Sequence, residues 1–147
     1  MTGTVSRRRA LAAAGAALAA PLATPALAKG LAEWKMVTSW PKNLPGPGLS
    51  AERLAQSIAR LTDGRLTVKV YAAGELVPAL ECFDAVSGGT AEMAHTAAIY
   101  WQGKMPAAPL FTTAPFGLTP LEHMIWIDQA GGQALWEKLY RPFGVQP

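Results

Sequence analysis

The chain has 147 residues, of which 50% are apolar, 13 are basic and 10 are acidic. This length supports one modest hydrophobic core, and the single cysteine excludes an intramolecular disulfide and any cysteine cluster for zinc or iron–sulfur. Three of the basic residues fall in the first nine positions, so the rest of the chain has balanced charges and no Lys/Arg run. This balance argues against nucleic-acid binding and against a polybasic membrane contact.

The first 28 residues have the organisation of an export signal. A Ser-Arg-Arg-x-x-Leu pattern, an uncharged Ala/Leu run and a small-x-small peptidase site follow one another, and their defining residues are Arg7, Arg8, Ala26 and Ala28. The apolar run is too short to cross about 30 Å of hydrocarbon comfortably, which favours a cleaved signal over a membrane anchor. We therefore predict a twin-arginine signal peptide at 1–28 and a mature periplasmic chain at 29–147.

Alternating strand and helix patterns follow the predicted signal. β-branched and aromatic residues predict a strand over 33–39, and apolar residues at helical spacing predict a helix over 49–61. Strict alternation of aliphatic residues with other residues over 66–71 indicates a second strand with one covered face. A helix opened by a proline over 78–87 and a third strand over 91–95 complete the series.

The second half of the chain is less regular. Four prolines and Gly117 interrupt 100–120, so we expect mostly loop there, and helix returns over 121–140 with an interruption near Gly131 and Gly132. The last residues, 143–147, look like the beginning of another strand. Strand and helix in this order are typical of an α/β fold with a mostly parallel sheet and covering helices. Because such a sheet would be unfinished, the sequence is interpreted as an N-terminal fragment.

A series of short blocks resembles the start of a DctP-type solute-binding protein of a tripartite ATP-independent periplasmic (TRAP) transporter. The blocks span 34–41, 63–71, 73–78, 83–86 and 91–95. Two further blocks, at 100–104 and 115–120, look closest to the branch that binds 2-oxo acids such as pyruvate, or lactate.

The resemblance implies a periplasmic-binding-protein-like lobe that is incomplete at its C-terminus. Members of the family are about twice this long, and their two lobes close on an organic acid. The implied function is capture of a small monocarboxylate for secondary uptake, with the TRAP membrane subunits as partners and a homodimer as an option for the full-length form. The family's carboxylate-binding arginine and cation ligands lie further along the chain. The resemblance therefore implies no cofactor within this part, although a cation could bridge the substrate in the full-length protein.

Ligands of open α/β sheets bind beyond the carboxyl ends of the strands, which selects the residues that follow the first and third strands. Hydroxyl groups and flat aromatic surfaces there suit a small acid, and a nearby loop adds one phenylalanine. The candidates for substrate binding are Ser39, Trp40, Thr96, Tyr100, Trp101 and Phe116. The alternative is that the aromatic residues stabilise loops against the core, with Phe116 buried in it.

The sequence does not predict a metal site or a catalytic site. His95 and His123 belong to different elements and lack partners at ligand spacing, so we predict no metal site. Cys82 is best explained as a structural thiol, and Ser87 lacks the Gly-x-Ser-x-Gly context of a nucleophile, so we predict no catalytic residue. The alternatives to a binding protein are an exported enzyme or cofactor-carrying α/β protein, and an inactive truncated remnant.

Overall fold

The structure is a computed structural model that describes residues 30–147, and the predicted signal residues lie outside this range. The strands are β1 (Ala32–Thr38), β2 (Leu66–Tyr71) and β3 (Met93–His95), and the α-helices are α1 (Pro47–Leu61), α2 (Cys82–Ser87), α3 (Pro120–Gln129) and α4 (Gly132–Tyr140). Short 3-10 turns occupy Ala79–Glu81, Ala98–Trp101, Ala108–Phe111 and Arg141–Phe143. Among the helices of residues 30–147, none has the length and hydropathy needed to cross a membrane.

The three strands form one parallel sheet in the order β2-β1-β3. β1 is the central strand, and its register places Ala32 beside Leu66 and Met36 beside both Val70 and Met93. Only the last three residues of β1 are buried, which is the part of the strand flanked on both sides. The predicted α/β class with a parallel sheet is confirmed.

Helix α1 connects β1 to β2 and packs against β2. It starts with a proline in its first turn, where the missing N–H costs nothing. The residues that it buries are small, Gly48, Ala51 and Ala55, so the helix axis can lie close to its neighbours. A side chain at Gly48 would place its Cβ 2.9 Å from the carbonyl oxygen of Pro41, which explains the glycine.

An aromatic cluster forms the larger part of the core. The Phe83 ring stacks on Trp101 with 5.1 Å between the ring centroids, and it meets Tyr140 edge-on at 5.5 Å. The Trp101 indole N–H donates to the Tyr140 hydroxyl across 2.8 Å, so the one polar atom of the indole is satisfied inside the cluster. This cluster fastens α4 to α2 and to the turn after β3.

The structure differs from the prediction in two places. Residues 143–147 form no strand: Gly144 takes a left-handed φ of 67°, and Phe143 and Val145 turn back against the aromatic cluster. Their apolar character therefore reflects packing on the cluster, and the strand prediction was wrong. Pro78 opens a 3-10 turn, so the α-helix predicted from that residue begins only at Cys82. The predicted break at Gly131 is present, with a φ of 89°.

Candidate functional site

The carboxyl ends of β1 and β3 meet at one edge of the sheet. β1 ends at Thr38 and β3 ends at His95, and these two residues are register partners. The backbone pairing continues one step further, since the Ser39 N–H donates to the His95 carbonyl over 3.4 Å. The residues after both strands are therefore adjacent, as the prediction requires. Ser39, Trp40, Thr96 and Tyr100 all belong to this edge.

Hydroxyl groups join three segments at this edge. Ser39 Oγ lies 2.6 Å from the carbonyl oxygen of Ala79, which can only accept, so Ser39 donates its proton there. Thr96 Oγ1 lies 2.6 Å from Ser39 Oγ and must therefore be the donor in that pair. In this arrangement both hydroxyl protons are used within the protein. Donation to a ligand would require one of these bonds to break.

Trp40, His95 and Tyr100 form an aromatic group beside the hydroxyl chain. The indole N–H of Trp40 donates to His95 Nδ1 over 2.9 Å, and the ring centroids of Trp40 and Tyr100 are 6.0 Å apart with 56° between their planes. This separation is typical of a favourable aromatic pair. Trp40 is half-buried, whereas Tyr100 is 39% exposed, and its hydroxyl has no hydrogen-bond partner among residues 30–147. We call Trp40 and Tyr100 the aromatic wall; it offers a flat surface and an unused phenol donor.

The other two candidates lie elsewhere. Trp101 is adjacent to Tyr100 in sequence but only 7% exposed, because its ring belongs to the aromatic cluster with Phe83 and Tyr140. Phe116 is fully exposed in a turn, with a left-handed φ of 58°. Within the described residues, no hydrogen bond or ring contact joins it to the aromatic wall.

A large cavity lies apart from the rings of the aromatic wall. It measures about 610 Å³ and lies between α2, β3, α4 and the last residues of the chain. Its lining includes Thr96 and Trp101 together with Phe83, Phe111 and Trp136. A much smaller cavity of about 10 Å³ adjoins Trp40. We place the candidate site at the wall, because the free phenol and the carboxyl edge are found there and the large cavity is mostly apolar.

Two other reactive side chains, Cys82 and His123, make contacts that suit a structural role. Burial raises the pKa of the Cys82 thiol, which disfavours the thiolate that nucleophilic chemistry needs. His123 Nε2 lies 3.1 Å from the Phe111 carbonyl, a contact that holds a loop against α3. Within residues 30–147, no group of three or more His, Cys, Asp or Glu side chains could hold a metal ion.

His95 is the residue whose role the sequence reasoning missed. The sequence analysis considered it only as a metal ligand, but in the structure its hydrogen-bond partner, Trp40, is itself a site candidate. The predicted strand order could have suggested this role, because a residue at the end of β3 lies beside the residues that follow β1 at the same edge. The sequence could not reveal the orientation of the two rings, which brings Trp40 Nε1 within hydrogen-bonding distance of His95 Nδ1.

Comparison with known proteins extends these observations. The profile of the bacterial extracellular solute-binding protein family 7 (DctP) matches residues 36–146. The chain is 46% identical over 112 residues, or 76% of its length, to a monocarboxylate 2-oxoacid-binding periplasmic protein of Nostoc sp. (strain PCC 7120). It also resembles the crystal structure of a TRAP periplasmic solute-binding protein from Pseudoalteromonas atlantica with bound sodium and pyruvate, with a TM-score of 0.77 and 34% identity over 79% of this chain.

A third similar protein is a TRAP transporter solute-binding protein from Bordetella bronchiseptica, a dimer of mixed occupancy with calcium and picolinate in its bound site. It has a TM-score of 0.75 and 37% identity over 79% of this chain. The chain spans about a third of the length of these relatives: 30% of the Nostoc protein, 35% of the Pseudoalteromonas protein and 34% of the Bordetella protein.

Proposed function

Because the chain belongs to the bacterial extracellular solute-binding protein family 7, the DctP family, we propose that it forms one part of the solute-binding subunit of a TRAP transporter. The proposed ligand is a small monocarboxylate, a 2-oxo acid such as pyruvate, or lactate. The proposed partners are the transporter's membrane subunits and, as in the Bordetella relative, a second copy of the binding protein. The family consists of binding proteins, and we propose no catalytic step.

The observation that carries this proposal is the aromatic wall at the carboxyl edge of the sheet. Trp40 follows β1 and Tyr100 lies in the 3-10 turn after β3, and their rings nevertheless lie 6.0 Å apart with the phenol left free. A flat apolar surface with one oriented donor suits a three-carbon acid, whose carbon skeleton can pack on the ring while an oxygen accepts from Tyr100.

The described residues supply a wall, but no arginine beside it that could anchor the negative charge. All four arginines of residues 30–147, at positions 53, 60, 65 and 141, are exposed, and none of them forms a hydrogen bond or cation–π contact with Trp40 or Tyr100. Binding a carboxylate tightly calls for a charge-assisted bond, often a bidentate one from arginine. We therefore propose that the anchoring arginine belongs to the second lobe implied by the family resemblance.

A bound cation would also need ligands from outside the described residues. Two of the relatives hold sodium or calcium together with their organic ligand. The residues described here do not combine into a set of three or more acidic, histidine or cysteine ligands. We propose that any cation in the complete protein is bound mainly by the second lobe, where it would offset the charge of the acid.

A chimera tests the proposed function. Residues 36–146 would replace the matching segment of the Nostoc relative, and calorimetry would measure pyruvate binding to the chimera, to the parent and to the present chain. We expect the chimera to bind at micromolar strength, about 8 kcal/mol, and the chain alone to bind at least about 100-fold more weakly. Circular dichroism would verify that each protein is folded.

Two results would overturn this proposal. Micromolar binding by the chain alone would mean that the main anchor lies within these residues. A folded chimera that fails to bind pyruvate and lactate, next to a parent that binds, would mean that this part does not complete a monocarboxylate site.

We also propose that the precursor is exported through the twin-arginine pathway and cleaved after Ala28. Replacing both Arg7 and Arg8 with lysine should leave the precursor in the cytoplasm, whereas the unaltered protein should mature to a chain that starts at Lys29. Arg9→Lys is the matched control, because it removes an arginine outside the pair and should mature normally. Normal periplasmic delivery of the double variant, scored by fractionation and N-terminal sequencing, would reject this pathway.

A further inference from the structure

The hydrogen bond between Trp40 and His95 dictates the protonation of the histidine. An indole N–H can only donate, and it points at His95 Nδ1 from 2.9 Å. Nδ1 must therefore be unprotonated, so the imidazole is neutral and carries its proton on Nε2. The contact cannot form with the other neutral tautomer or with the imidazolium ion.

Trp40 has two restraints on its ring, and His95 supplies the directional one. The Tyr100 ring lies at 6.0 Å in a tilted arrangement, which tolerates rotation. The bond to Nδ1 allows far less freedom, because hydrogen bonds weaken steeply with misalignment. The His95 ring also meets the indole edge-on, with 6.4 Å between centroids. The orientation of the wall therefore depends on His95.

On the premise of the proposed function, we propose that His95 is a positioning residue, which as a neutral imidazole holds the Trp40 ring in the orientation that receives the acid. His95 itself does not contact the ligand. It acts through Trp40, and loss of its Nδ1 acceptor frees the indole to rotate away from Tyr100.

The surroundings of His95 keep the imidazole neutral. Among the residues described, the one ion pair joins Lys104 and Asp84, and it does not involve His95. The titratable groups around the Trp40 side of the site are the Tyr100 phenol and the residues that line the small cavity with Trp40, namely Lys42, Glu52 and Glu75. None of these forms an ion pair with the histidine. Partial burial without a charged partner lowers the pKa of His95.

This arrangement has a defined pH dependence. The unfolded chain takes up a proton on histidine near pH 6.5, whereas the folded state resists protonation because its pKa is lower. The stability contributed by neutral His95 is therefore complete above about pH 6.5 and is lost as the pH falls through the folded value. The bond to Trp40 breaks over that same lower range.

Nitrogen-15 NMR of the full chain tests the proposal without a ligand. At neutral pH we expect His95 to show the tautomer with the proton on Nε2, and the Trp40 indole resonance to shift with the His95 titration. The chain has five tryptophans, so Trp40→Phe assigns the indole signal. A proton on Nδ1 at neutral pH, or an indole signal that ignores His95 protonation while the protein stays folded, would overturn the proposal.

Two variants give a second measurement. In His95→Asn the amide oxygen stands close to the position of Nδ1 and can accept, whereas His95→Leu has no acceptor. We expect the Trp40 indole proton to exchange with solvent at least about tenfold faster in His95→Leu and nearly normally in His95→Asn. His123→Asn is the matched control, since that histidine contacts the Phe111 carbonyl and should leave Trp40 unchanged. Equal exchange in the Leu variant and the unaltered protein would contradict the proposal.

Pyruvate binding by the chimera distinguishes the positioning role of His95 from the proposed function. In the chimera, His95→Leu should weaken pyruvate binding about tenfold, and His95→Asn should restore most of it. Lost exchange protection with unchanged pyruvate affinity would overturn the positioning role. A folded chimera that binds no acid, with the NMR results as expected, would instead reject the proposed function and leave the control of Trp40 by His95 intact.

Discussion

Trp101→Ala should lower the free energy of unfolding by about 3–5 kcal/mol, the range found when a large buried aromatic residue is removed. Trp101 is only 7% exposed, and its ring stacks on Phe83 with 5.1 Å between centroids. The substitution would open a cavity in the aromatic cluster. It would also leave the buried Tyr140 hydroxyl without its indole donor, which lies 2.8 Å away.

Urea unfolding followed by circular dichroism would measure this loss. Trp34→Ala is the matched control, because Trp34 is 40% exposed on β1 and should cost about 1 kcal/mol or less. Trp101→Phe should fall between the two, since it keeps most of the stacking and loses the N–H. If Trp101→Ala were no more harmful than Trp34→Ala, the cluster would not be the main core, and a ligand role for Trp101 would gain support.

Trp40→Ala should weaken pyruvate binding to the chimera by about 30-fold, which corresponds to about 2 kcal/mol. The reason is that the half-buried indole is one of the two rings of the aromatic wall, and its removal takes away the flat surface beside Tyr100. The melting temperature of the ligand-free protein should change comparatively little. Calorimetric titration and thermal melts of the same samples would give both quantities.

Trp40→Phe is the control for Trp40→Ala, because it keeps an aromatic surface and removes only the donor to His95. Its affinity should lie between those of the unaltered protein and Trp40→Ala. The opposite pattern, in which Trp40→Ala lowers the melting temperature strongly and changes affinity only in proportion, would show that Trp40 is a core residue.

The regular elements could be predicted because their patterns are local. Alternation over 66–71 and helical spacing over 49–61 each need only a few neighbouring residues to be recognised, and β2 and α1 lie where those patterns place them. The adjacency of Ser39 and Thr96 also followed, because parallel strands end at a shared edge.

The directions of side chains outside these elements could not be predicted. Tyr100 and Trp101 are consecutive residues of one 3-10 turn, yet Tyr100 is 39% exposed and Trp101 is 7% exposed. A single turn has no periodicity to reveal which ring faces inward, and the answer depends on Phe83 and Tyr140, which are distant in sequence. The same limit applies to 143–147, where apolar residues that suggested a strand pack on the aromatic cluster instead.

The central position of β1 affects the order in which the sheet can assemble. β1, the first of the three described strands, has one neighbour that begins at Leu66 and another that begins at Met93, so its two edges become paired at different stages of synthesis. Closing such loops costs entropy before the contacts form, which slows folding of parallel sheets. During synthesis, β1 can pair with β2 first, across α1. Its apolar end, Met36 and Val37, gains a second neighbour only when β3 emerges, so until then this segment keeps an unpaired strand edge.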